Sequence, residues 1–481
     1  MTVAGSLKRK NLFIGGRWQE AEHYIELTSP YNGEVLCEIP SATEAEVEQA
    51  IVAATQARGD MKKLAAYQRA DILEELSYLL KSRKEEAAQL IALEASKPIA
   101  TARGEVERTI QTYKFAAEEA KRNHGEMIPL DATPGGQGRV GYTKYEPLGV
   151  IGAITPFNFP MNLVAHKVGP AITAGNTIVL KPASQTPLSA YFLAELLEEA
   201  GLPAGALNVV TGKGRIVGNQ IVEDDRISMI TFTGSPEVGK EIRSKAGLKK
   251  VTLELGSNAA LIVDKDVAID GIISRCVTGA FSFQGQVCIS LQRIYVHEDQ
   301  YEEFVDRFIE ETNQLKLGDP LNEDTDVSAL ITQGDVTRSL EWIEEAIQGG
   351  AKIATGGKSE GNALLPTVLL DVQPAMKVSC QEVFAPIVLI DKITSVEEGI
   401  EKVNDSRFGL QAGIYTEQVS TALDAADRLE VGGVIINDFP TFRVDNMPYG
   451  GVKESGTGKE GVKYSFEEMS QMKLVVFNRY S

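Results

Sequence analysis

Short apolar runs alternate with helix-length segments through the middle of the chain. The apolar runs predict β-strands at 148–154, 177–180, 207–210 and 228–232. Helices are predicted between and after them, at 188–200 and 236–246. Such alternation is typical of a parallel sheet with helices on both faces. Because ligands of these sheets bind at the carboxyl ends of strands, the turns after the strands are candidate binding sites.

The chain before residue 125 is predicted to be mostly helical. A Gly15-Gly16 turn favours a short hairpin at the start. Thr43 and Glu46 have the spacing of a capping box, which predicts that a helix begins there. Further helices are predicted at 68–82, 85–95 and 102–122.

A second series of strands and helices is predicted after Gly256. Its strands are predicted at 260–263, 293–296, 388–390 and 434–437, and its helices at 272–280 and 298–315. An extended ribbon is predicted at 140–146, and an isolated, mostly apolar strand is predicted near the C-terminus at 472–477. Because an exposed strand is a liability unless another element pairs with it, we interpret 472–477 as an assembly strand.

Composition narrows the class of protein. A chain of 481 residues favours two or three domains. The net charge of −19 argues against a surface that binds nucleic acid or an anionic membrane. The four cysteines and four histidines are scattered, so neither a disulfide scaffold nor a metal site is expected. The N-terminal residues lack the apolar run of a signal peptide, and a cytoplasmic protein is expected.

Three polar residues form the candidate chemistry. The octapeptide Phe281-Ser-Phe-Gln-Gly-Gln-Val-Cys288, followed by a strand-like stretch at 289–296, indicates a bend that delivers a thiol. Glu254 and Asn158 would add a base and an oxyanion donor to this nucleophile. Each residue taken singly has an ordinary alternative, namely a buried core thiol, a solvated or paired carboxylate, and a turn residue.

Two turns carry candidate cofactor signals. Phe232-Thr-Gly-Ser-Pro-Glu-Val-Gly239 follows a predicted strand and opens a helix, where free amide groups attract phosphate. Lys181 follows a separate strand, and its ammonium suits ribose hydroxyls or a phosphate. The alternatives are a plain strand-to-helix turn and a solvated lysine.

Together these motifs resemble the aldehyde dehydrogenase superfamily in their order and spacing, over nearly the whole chain. The motifs that carry the resemblance are Thr155-Pro-Phe-Asn-Phe-Pro160, Lys181-Pro-Ala-Ser184, Phe232-Thr-Gly-Ser235, Glu254-Leu-Gly256, Gly285-Gln-Val-Cys288, Glu382-Val-Phe-Ala-Pro386 and Pro448-Tyr-Gly-Gly-Val-Lys-Glu-Ser-Gly456. The resemblance implies oxidation of an aldehyde to its carboxylic acid with NAD or NADP. The implied intermediates are a thiohemiacetal and a thioester on Cys288.

The resemblance also implies a role for each matching residue. Cys288 would be the nucleophile, Glu254 the general base, and Asn158 the oxyanion donor together with the Cys288 amide. Lys167 and Glu460 match positions that relay protons around the thiol. The residues implied to bind the cofactor are Thr155, Phe157, Lys181, Ser184, Gly214, Gly234, Ser235, Val238, Gly239, Leu255, Glu382 and Phe384.

The implied α/β fold has a Rossmann-type nucleotide-binding domain, an α/β catalytic domain and a small β oligomerisation arm. The nucleotide-binding domain is predicted at 1–125 and 147–255, and the catalytic domain at 256–440. The arm is predicted at 126–146 and 465–481, and it implies a homodimer or homotetramer. No nucleic-acid, membrane or metal partner is expected.

The chain departs from the family pattern close to the thiol. The departing residues are Phe157, Ser257, Asn258, Phe283 and Ala385. None of them replaces a reacting atom, so the implied chemistry stands and the shape of the pocket is what changes.

Arg108, Arg443 and His166 are the candidate substrate contacts. Because arginine suits carboxylate, phosphate and sulfonate groups, Arg108 and Arg443 could together bind an anionic group of the substrate. In this respect the chain resembles the branch of the family that handles lactaldehyde and small phospho-, phosphono- or sulfo-aldehydes. The alternative is that both arginines are structural ion-pair partners and that His166 simply packs. The rival activities are those of a succinate semialdehyde dehydrogenase and of a CoA-acylating aldehyde dehydrogenase.

Ser184 decides the expectation for the cofactor. Relatives with a glutamate at the end of the Lys-Pro-Ala-x loop bind the 2′-hydroxyl and repel a 2′-phosphate. Ser184 is neutral and removes this repulsion. NADP is therefore expected to be accepted, either alongside NAD or in preference to it.

Overall fold

The computed structural model describes residues 9–122 and 124–479. Its α-helices are α1 (Glu44–Lys63), α2 (Ala66–Ser82), α3 (Lys84–Ala95), α4 (Ile99–Ala120), α5 (Asn162–Ala174), α6 (Leu188–Glu199), α7 (Asn219–Glu223), α8 (Pro236–Lys245), α9 (Ile273–Phe281), α10 (Tyr301–Thr312), α11 (Gln333–Gln348), α12 (Lys377–Cys380), α13 (Val396–Asn404), α14 (Val419–Arg428) and α15 (Val462–Glu468). None of the described helices is long and apolar enough to cross a membrane.

The strands fall into two large sheets and several small ones. They are β1 (Leu12–Ile14), β2 (Arg17–Gln19), β3 (Tyr24–Thr28), β4 (Val35–Pro40), β5 (Met127–Ile128), β6 (Arg139–Pro147), β7 (Val150–Ile154), β8 (Thr177–Lys181), β9 (Leu207–Val209), β10 (Ile227–Thr233), β11 (Lys250–Glu254), β12 (Ala260–Val263), β13 (Arg293–His297), β14 (Lys352–Thr355), β15 (Ser359–Glu360), β16 (Ala363–Leu364), β17 (Thr367–Leu370), β18 (Ile387–Ile393), β19 (Phe408–Gly409), β20 (Gln411–Tyr415), β21 (Gly433–Ile436), β22 (Val452–Lys453), β23 (Gly456–Thr457) and β24 (Ser470–Asn478).

The first large sheet has the strand order β2-β1-β9-β8-β7-β10-β11-β23. The five strands β9, β8, β7, β10 and β11 run parallel to one another. Strand β1 pairs antiparallel with β9, and β23 pairs antiparallel with β11. The chain order reverses between β7 and β10, which makes that pair the switch point of the sheet. Ligands bind outside the carboxyl ends of the strands at such a point, and the loops that begin at Thr155 and Gly234 lie there.

Helix α1 covers one face of the first sheet. The predicted capping box is present, since the Thr43 N–H donates to Glu46 Oε2 at 2.7 Å and Thr43 Oγ1 accepts from the Glu46 N–H at 3.4 Å. The apolar stripe of the helix is fully buried, through Val47, Ala50, Ile51 and Ala54. Helices α2 to α6 pack together on the opposite face. With both faces covered, the parallel strands are apolar almost throughout.

The second large sheet has the strand order β14-β17-β18-β13-β12-β20-β21. All its neighbouring pairs are parallel except β14 with β17. Helices α9 and α10 pack on one face through residues such as Val277, Phe304 and Phe308. The βα series predicted after Gly256 is therefore present.

A small three-stranded sheet joins two distant parts of the chain. Strand β24 pairs antiparallel with β6, from Ser470 opposite Pro147 to Asn478 opposite Arg139, and β5 lies on the other side of β6. The extended ribbon and the terminal strand that the sequence predicts are thus confirmed as strands. One face of β24 carries Met472, Leu474 and Val476, which are 57%, 53% and 45% exposed.

The predicted domain boundaries stay a prediction. Two parts of the predicted nucleotide-binding domain, 1–8 and Asn123, lie outside the described residues, as do Tyr480 and Ser481 of the predicted arm. Strand β23 follows the predicted catalytic domain in sequence but joins the first large sheet.

The bounds of several predicted elements differ from the structure, and two of them have a clear physical reason. The strand-like stretch at 289–296 becomes a strand only at Arg293, because the preceding residues bind other segments: the Leu291 N–H donates to Gly279 O and the Gln292 N–H to Ala259 O. The helix predicted at 102–122 already begins at Ile99, directly after Pro98. Proline is well suited to the residues around a helix start.

Candidate active site

Cys288, Glu254 and Asn158 line one cavity of about 550 Å³. Asn158 follows β7, Glu254 ends β11, and Cys288 lies in the loop between α9 and β13. The structure therefore brings together the three residues in which the sequence analysis placed the chemistry.

The turn before Cys288 has an unusual backbone. Phe283, Gln284 and Gly285 have φ angles of +49°, +54° and +69°. The left-handed region is costly for side-chain-bearing residues and occurs where the surroundings enforce it. A Cβ on Gly285 would lie 2.2 Å from the Ala385 carbonyl oxygen. The predicted bend is present, and its glycine is required for both conformation and space.

Two glutamines anchor this turn to the neighbouring loops. Gln284 Nε2 donates to the carbonyl oxygens of Ser96 and Ala329, each at 2.9 Å. Gln286 Oε1 accepts from the Ile331 N–H at 3.0 Å. These buried hydrogen bonds hold the strained turn in place, so that the position of the following thiol is determined by the fold.

The Cys288 sulfur is hydrogen-bonded to the Tyr449 hydroxyl, at 2.8 Å. Burial raises the pKa of Cys288 to about 11, and the hydrogen bond with Tyr449 acts in the opposite direction. The uncharged thiol is therefore the resting form at neutral pH, and groups that favour the thiolate matter for reactivity. Cys37 and Cys276 lie in hydrophobic cores away from this cavity.

The Asn158 amide is fixed at the cavity wall. Its Nδ2 donates to the Gln286 carbonyl oxygen at 3.0 Å, and the side chain is buried. A carboxamide nitrogen carries two hydrogens. One N–H of Asn158 is thus used to position the amide, and the other is free to donate to a ligand.

A buried ion pair supports Asn158 from behind. Lys97 Nζ donates to the backbone carbonyl oxygen of Asn158 at 2.7 Å. It also forms an ion pair with Glu105, and both side chains are completely buried. The ammonium also lies 3.9 Å and 4.2 Å from the ring centroids of Phe159 and Phe283. These partners offset the cost of removing a charge from water.

The other end of this pair holds helix α5. Glu105 Oε1 accepts from the N–H groups of Met161 and Asn162, at 2.9 Å and 3.1 Å. A carboxylate is favourable at a helix N-terminus, where backbone N–H groups lack partners. Because α5 carries His166 and Lys167, Glu105 also sets the position of these side chains.

Glu254 is a buried carboxylate that no hydrogen bond from the described part of the chain stabilises. Both carboxylate oxygens lack a hydrogen-bond partner among the described residues. Burial raises the pKa of Glu254 well above its ordinary value, and the negative charge of Glu460 adds to this effect. Backbone approaches it closely, since a Cβ on Gly450 would lie 2.8 Å from Glu254 Oε1. An unpaired carboxylate facing a cavity is suited to accept a proton from a bound molecule.

Glu460 is the opposite case. It pairs with Lys167 at 2.9 Å and with Arg443 at 3.0 Å. Burial alone would raise the pKa of Glu460, but these two cations hold it below its ordinary value. Lys167 also donates to Thr233 Oγ1 at 2.8 Å. The predicted pair Lys167 and Glu460 is therefore brought together, behind the cavity wall rather than in it.

Two adjoining cavities, of about 550 Å³ and 650 Å³, follow the carboxyl edge of the first large sheet. The predicted cofactor residues that line them are Thr155, Phe157, Lys181, Gly214, Gly234, Ser235, Val238, Leu255, Glu382 and Phe384. Their volume is typical of ligand sites. The start of α8 lines both cavities, and Ser235 caps this helix by accepting from the Val238 N–H at 3.4 Å.

Two predicted cofactor residues are placed differently. Ser184 Oγ donates to the Gly212 carbonyl oxygen at 3.1 Å, and among the described residues neither Ser184 nor Gly239 lines the two cavities. A Cβ on Gly239 would lie 2.5 Å from Leu255. Gly239 thus permits α8 to pack closely against the end of β11, which is a structural role.

Lys181 is buried and Glu382 is half-buried, and both have hydrogen-bonding capacity to spare. Burial lowers the pKa of Lys181 to about 8, and its Nζ donates to Pro182 O at 3.3 Å. Burial raises the pKa of Glu382 to about 7, and its Oε1 accepts from the Ser257 N–H at 3.0 Å. Cavity-lining groups of this kind fit the hydroxyls of a ribose. The residues present therefore fit a dinucleotide.

A third cavity, of about 510 Å³, reaches Cys288 from the other side. Arg108, Arg275 and Arg443 line it. Each has a carboxylate partner: Arg108 binds Asp445 at 2.8 Å, Arg275 binds Asp438 at 2.6 Å, and Arg443 binds Glu460 at 3.0 Å. The two predicted arginines are thus both ion-paired and at the cavity wall, and Arg275 is an addition that the sequence analysis missed.

His166 is buried next to this cavity, and it is not among the described lining residues. Its Nε2 lies 2.9 Å from Asp445 Oδ1. Burial lowers the pKa of His166, and Arg443 adds to this effect. His166 therefore holds Asp445, which in turn holds Arg108, and it contacts the substrate side only through them.

The sequence analysis missed Lys97, Glu105 and Tyr449. Lys97 lies between two predicted helices, next to Pro98, and Glu105 lies within the helix predicted at 102–122. Tyr449 lies within the quoted motif Pro448-Tyr-Gly-Gly, so its polar group next to a family motif was the available signal. The sequence carried no comparable signal for the lysine and the glutamate.

Comparisons with known proteins point to one family. The model of the aldehyde dehydrogenase family matches residues 18–475. The 3-sulfolactaldehyde dehydrogenase of Priestia aryabhattai is 47% identical over 478 residues, which cover 99% of this chain and 100% of that protein.

Two solved structures are similar over nearly the whole chain. Aldehyde dehydrogenase 21 of Physcomitrella patens, in complex with the reaction product succinate, has a TM-score of 0.96 and 40% identity, with 99% of each chain covered. Glyceraldehyde-3-phosphate dehydrogenase of Methanocaldococcus jannaschii, complexed with NADP, has a TM-score of 0.92 and 41% identity, covering 95% of this chain and 100% of that one.

Proposed function

The chain belongs to the aldehyde dehydrogenase family, and from this premise we propose that it oxidises a small anionic aldehyde to the carboxylic acid through Cys288. The observation that carries the proposal is the shared cavity of Cys288, Asn158 and Glu254. A thiol, an amide donor and an unpaired carboxylate are the groups that acyl transfer requires.

In the first half of the reaction, the Cys288 sulfur attacks the aldehyde carbon and forms a thiohemiacetal. The free N–H of Asn158 and the backbone N–H of Cys288 donate to the oxygen as its negative charge develops. Each such donor contributes roughly 3 kcal/mol to the transition state. When bound, the nicotinamide would accept the hydride that the thiohemiacetal carbon loses; with the hydroxyl proton lost as well, a thioester is left on Cys288.

In the second half, a water molecule attacks the thioester on Cys288. Glu254 takes a proton from this water, which its unpaired carboxylate and raised pKa allow. The thiol leaves with a proton, and the carboxylic acid is released. Transfer of the acyl group to CoA is the alternative, and the buried carboxylate at the cavity favours water.

The cofactor would occupy the two cavities along the first large sheet. Lys181 and Glu382 would bind ribose hydroxyls, the first turn of α8 would hold the pyrophosphate, and Phe384 would support the nicotinamide. NADP acceptance is supported by the positive charge of Arg215, which is exposed, lines the larger cavity and forms no ion pair with the described residues. Ser184 would favour NADP because it is neutral and does not repel a 2′-phosphate, and not because it contacts the cofactor.

An anionic substrate is supported by the third cavity. Its wall carries three guanidinium groups as well as Cys288. The similar proteins point the same way, since sulfolactaldehyde, succinate and glyceraldehyde 3-phosphate all bear an anionic group. Each arginine has a carboxylate partner that fixes its orientation, so a second anion would bind to a preformed donor.

Assembly into a homodimer or homotetramer is supported by β24. Its exposed face is apolar at Met472, Leu474 and Val476, and a chain with an exposed apolar strand is prone to unspecific pairing. A second copy of this chain would cover that face.

Replacement of Glu254 by glutamine should slow deacylation more than acylation. We expect a burst of reduced cofactor followed by a steady-state rate lower by roughly 100-fold, because a positioned base contributes at least this factor. Rapid-mixing absorbance separates the two phases. The wild-type deacylation rate should rise with pH as Glu254 ionises, and Glu254→Gln should lose this rise.

Controls for this experiment separate base catalysis from other effects. Glu303→Gln, on the exposed side of α10, should behave as wild type, and Cys288→Ala should bind cofactor without turnover. Proportional loss of burst and steady state in Glu254→Gln would show that Glu254 is not the deacylation base. Acyl-CoA formation on adding CoA would favour the CoA-acylating alternative.

An aldehyde panel tests the substrate class. We expect kcat/KM to be higher for sulfolactaldehyde, glyceraldehyde 3-phosphate or succinate semialdehyde than for lactaldehyde. Arg108→Met should lower kcat/KM for the preferred anion by roughly tenfold or more, as expected for loss of a charge-assisted hydrogen bond, and change lactaldehyde little. Arg103→Met is the matched control, since Arg103 lies on the same helix and pairs with Glu85 and Glu323. Equal losses for charged and neutral aldehydes would contradict the clamp.

The cofactor proposal is tested by Arg215→Gln. We expect its KM for NADP to rise by roughly tenfold, because one charge-assisted contact with the 2′-phosphate is lost, while the KM for NAD stays near the wild-type value. Ser184→Glu should act in the same direction by adding repulsion. Arg243→Gln, exposed on α8, is the matched control. A wild-type enzyme without measurable NADP turnover would show this proposal to be wrong.

Assembly is tested by Leu474→Glu. A buried, unpaired charge is costly, so we expect sedimentation velocity to show smaller species than for the wild type. Gln471→Glu places the same charge on the opposite face of β24 and should leave the assembly unchanged. Identical sedimentation of Leu474→Glu and the wild type would argue against an interface at this face.

A further inference from the structure

Among the described residues, Tyr449 is the one that forms a hydrogen bond with the Cys288 sulfur, with 2.8 Å between the hydroxyl oxygen and the sulfur. The phenol is only 3% exposed. Its hydroxyl has no second hydrogen-bond partner in the described part of the chain. A phenylalanine would fill the same space, so packing alone does not account for the hydroxyl.

The backbone holds Tyr449 rigidly. The Tyr449 N–H donates to Glu460 O at 3.0 Å, and the Glu460 N–H donates to Tyr449 O at 2.7 Å. The Arg443 guanidinium lies 3.7 Å from the centroid of the Tyr449 ring and pairs with Glu460. A cation stacked on a phenol withdraws electron density from it, which makes the O–H a better hydrogen-bond donor.

We propose that Tyr449 is a further catalytic residue, whose O–H donates to the Cys288 sulfur and stabilises the thiolate that attacks the aldehyde. This inference rests on the proposed role of Cys288 as nucleophile. When the thiol ionises, its proton passes to water in the cavity, and Tyr449 keeps its own proton. After attack, the sulfur is a weak acceptor, so the stabilisation acts on the thiolate before the carbon–sulfur bond forms.

The other charged groups around the thiol define what Tyr449 must offset. Glu254 and Glu382 face the same cavity and disfavour a thiolate, as does burial. Arg443 favours it, together with the hydrogen bond from Tyr449. Burial raises the pKa of Tyr449 well above its ordinary value, so the phenol stays protonated and acts as a donor, not as a base.

Alkylation of Cys288 by iodoacetamide tests the inference without any turnover. The rate is measured on the full-length enzyme between about pH 6 and 9.5, because alkylation consumes the thiolate, whose fraction rises with pH. Mass spectrometry of the peptide that contains Cys288 reports this thiol alone. Tyr449→Phe should react more slowly by a net factor of roughly three. A one-unit rise in the thiol pKa cuts the thiolate about tenfold, and the greater nucleophilicity of the remaining thiolate offsets part of this loss.

Tyr113→Phe is the matched control. Its hydroxyl is buried on α4 without a hydrogen-bond partner among the described residues, so this change should leave alkylation of Cys288 unchanged. In Tyr449→Phe, kcat/KM should fall at neutral pH and recover towards alkaline pH, while cofactor affinity stays constant.

Equal alkylation rates for Tyr449→Phe and the wild type would overturn the proposal, since the hydroxyl would then only fill space. A different result would contradict the proposed function, namely turnover of aldehyde by Cys288→Ala. The alkylation result does not depend on that outcome, because it reports the thiol alone.

Discussion

Burial of Lys97 together with Glu105 is the constraint on which the rest of the site depends. Two charges removed from water are tolerable only when every strong hydrogen-bonding direction is satisfied, and here the partners are the Asn158 carbonyl and the first N–H groups of α5. A small displacement of either segment would uncover a buried charge. The loop after β7, the start of α5 and helix α4 are therefore locked to one another, and with them Asn158, Lys167 and Arg108.

The surrounding groups shift the pKa values of two buried carboxylates in opposite directions. The positive charges of Lys167 and Arg443 stabilise the ionised carboxylate of Glu460. Glu254 receives no hydrogen bond from the described residues and feels the charge of Glu460, so that its protonated form is favoured. Environments that push the pKa values of paired groups apart are a common way for one site to hold both a fixed charge and a mobile proton.

Local pattern was sufficient for most elements, whereas most of the cavity-lining residues were predicted only through the resemblance to a known family. The capping box at Thr43 and the strands that end just before Thr155 and Gly234 were predicted because their signals lie within a few residues. The pairs that complete the site were not, because their members are far apart in sequence: Cys288 and Tyr449 are separated by 161 residues, and Arg108 and Asp445 by 337. Hydrophobic periodicity reports which face of an element is buried, and it carries no information on which distant polar group will meet it.

The late position of Arg443, Tyr449 and Glu460 has a consequence for biosynthesis. The thiol, the amide and Glu254 are all synthesised before these three residues, and β23 reaches back from the same segment to pair with β11. A nascent chain can thus build most of both large sheets while its thiol still lacks the phenol and the cation that stack beside it. The order of translation therefore leaves the Cys288 thiol without these two neighbours until the final segments have folded back.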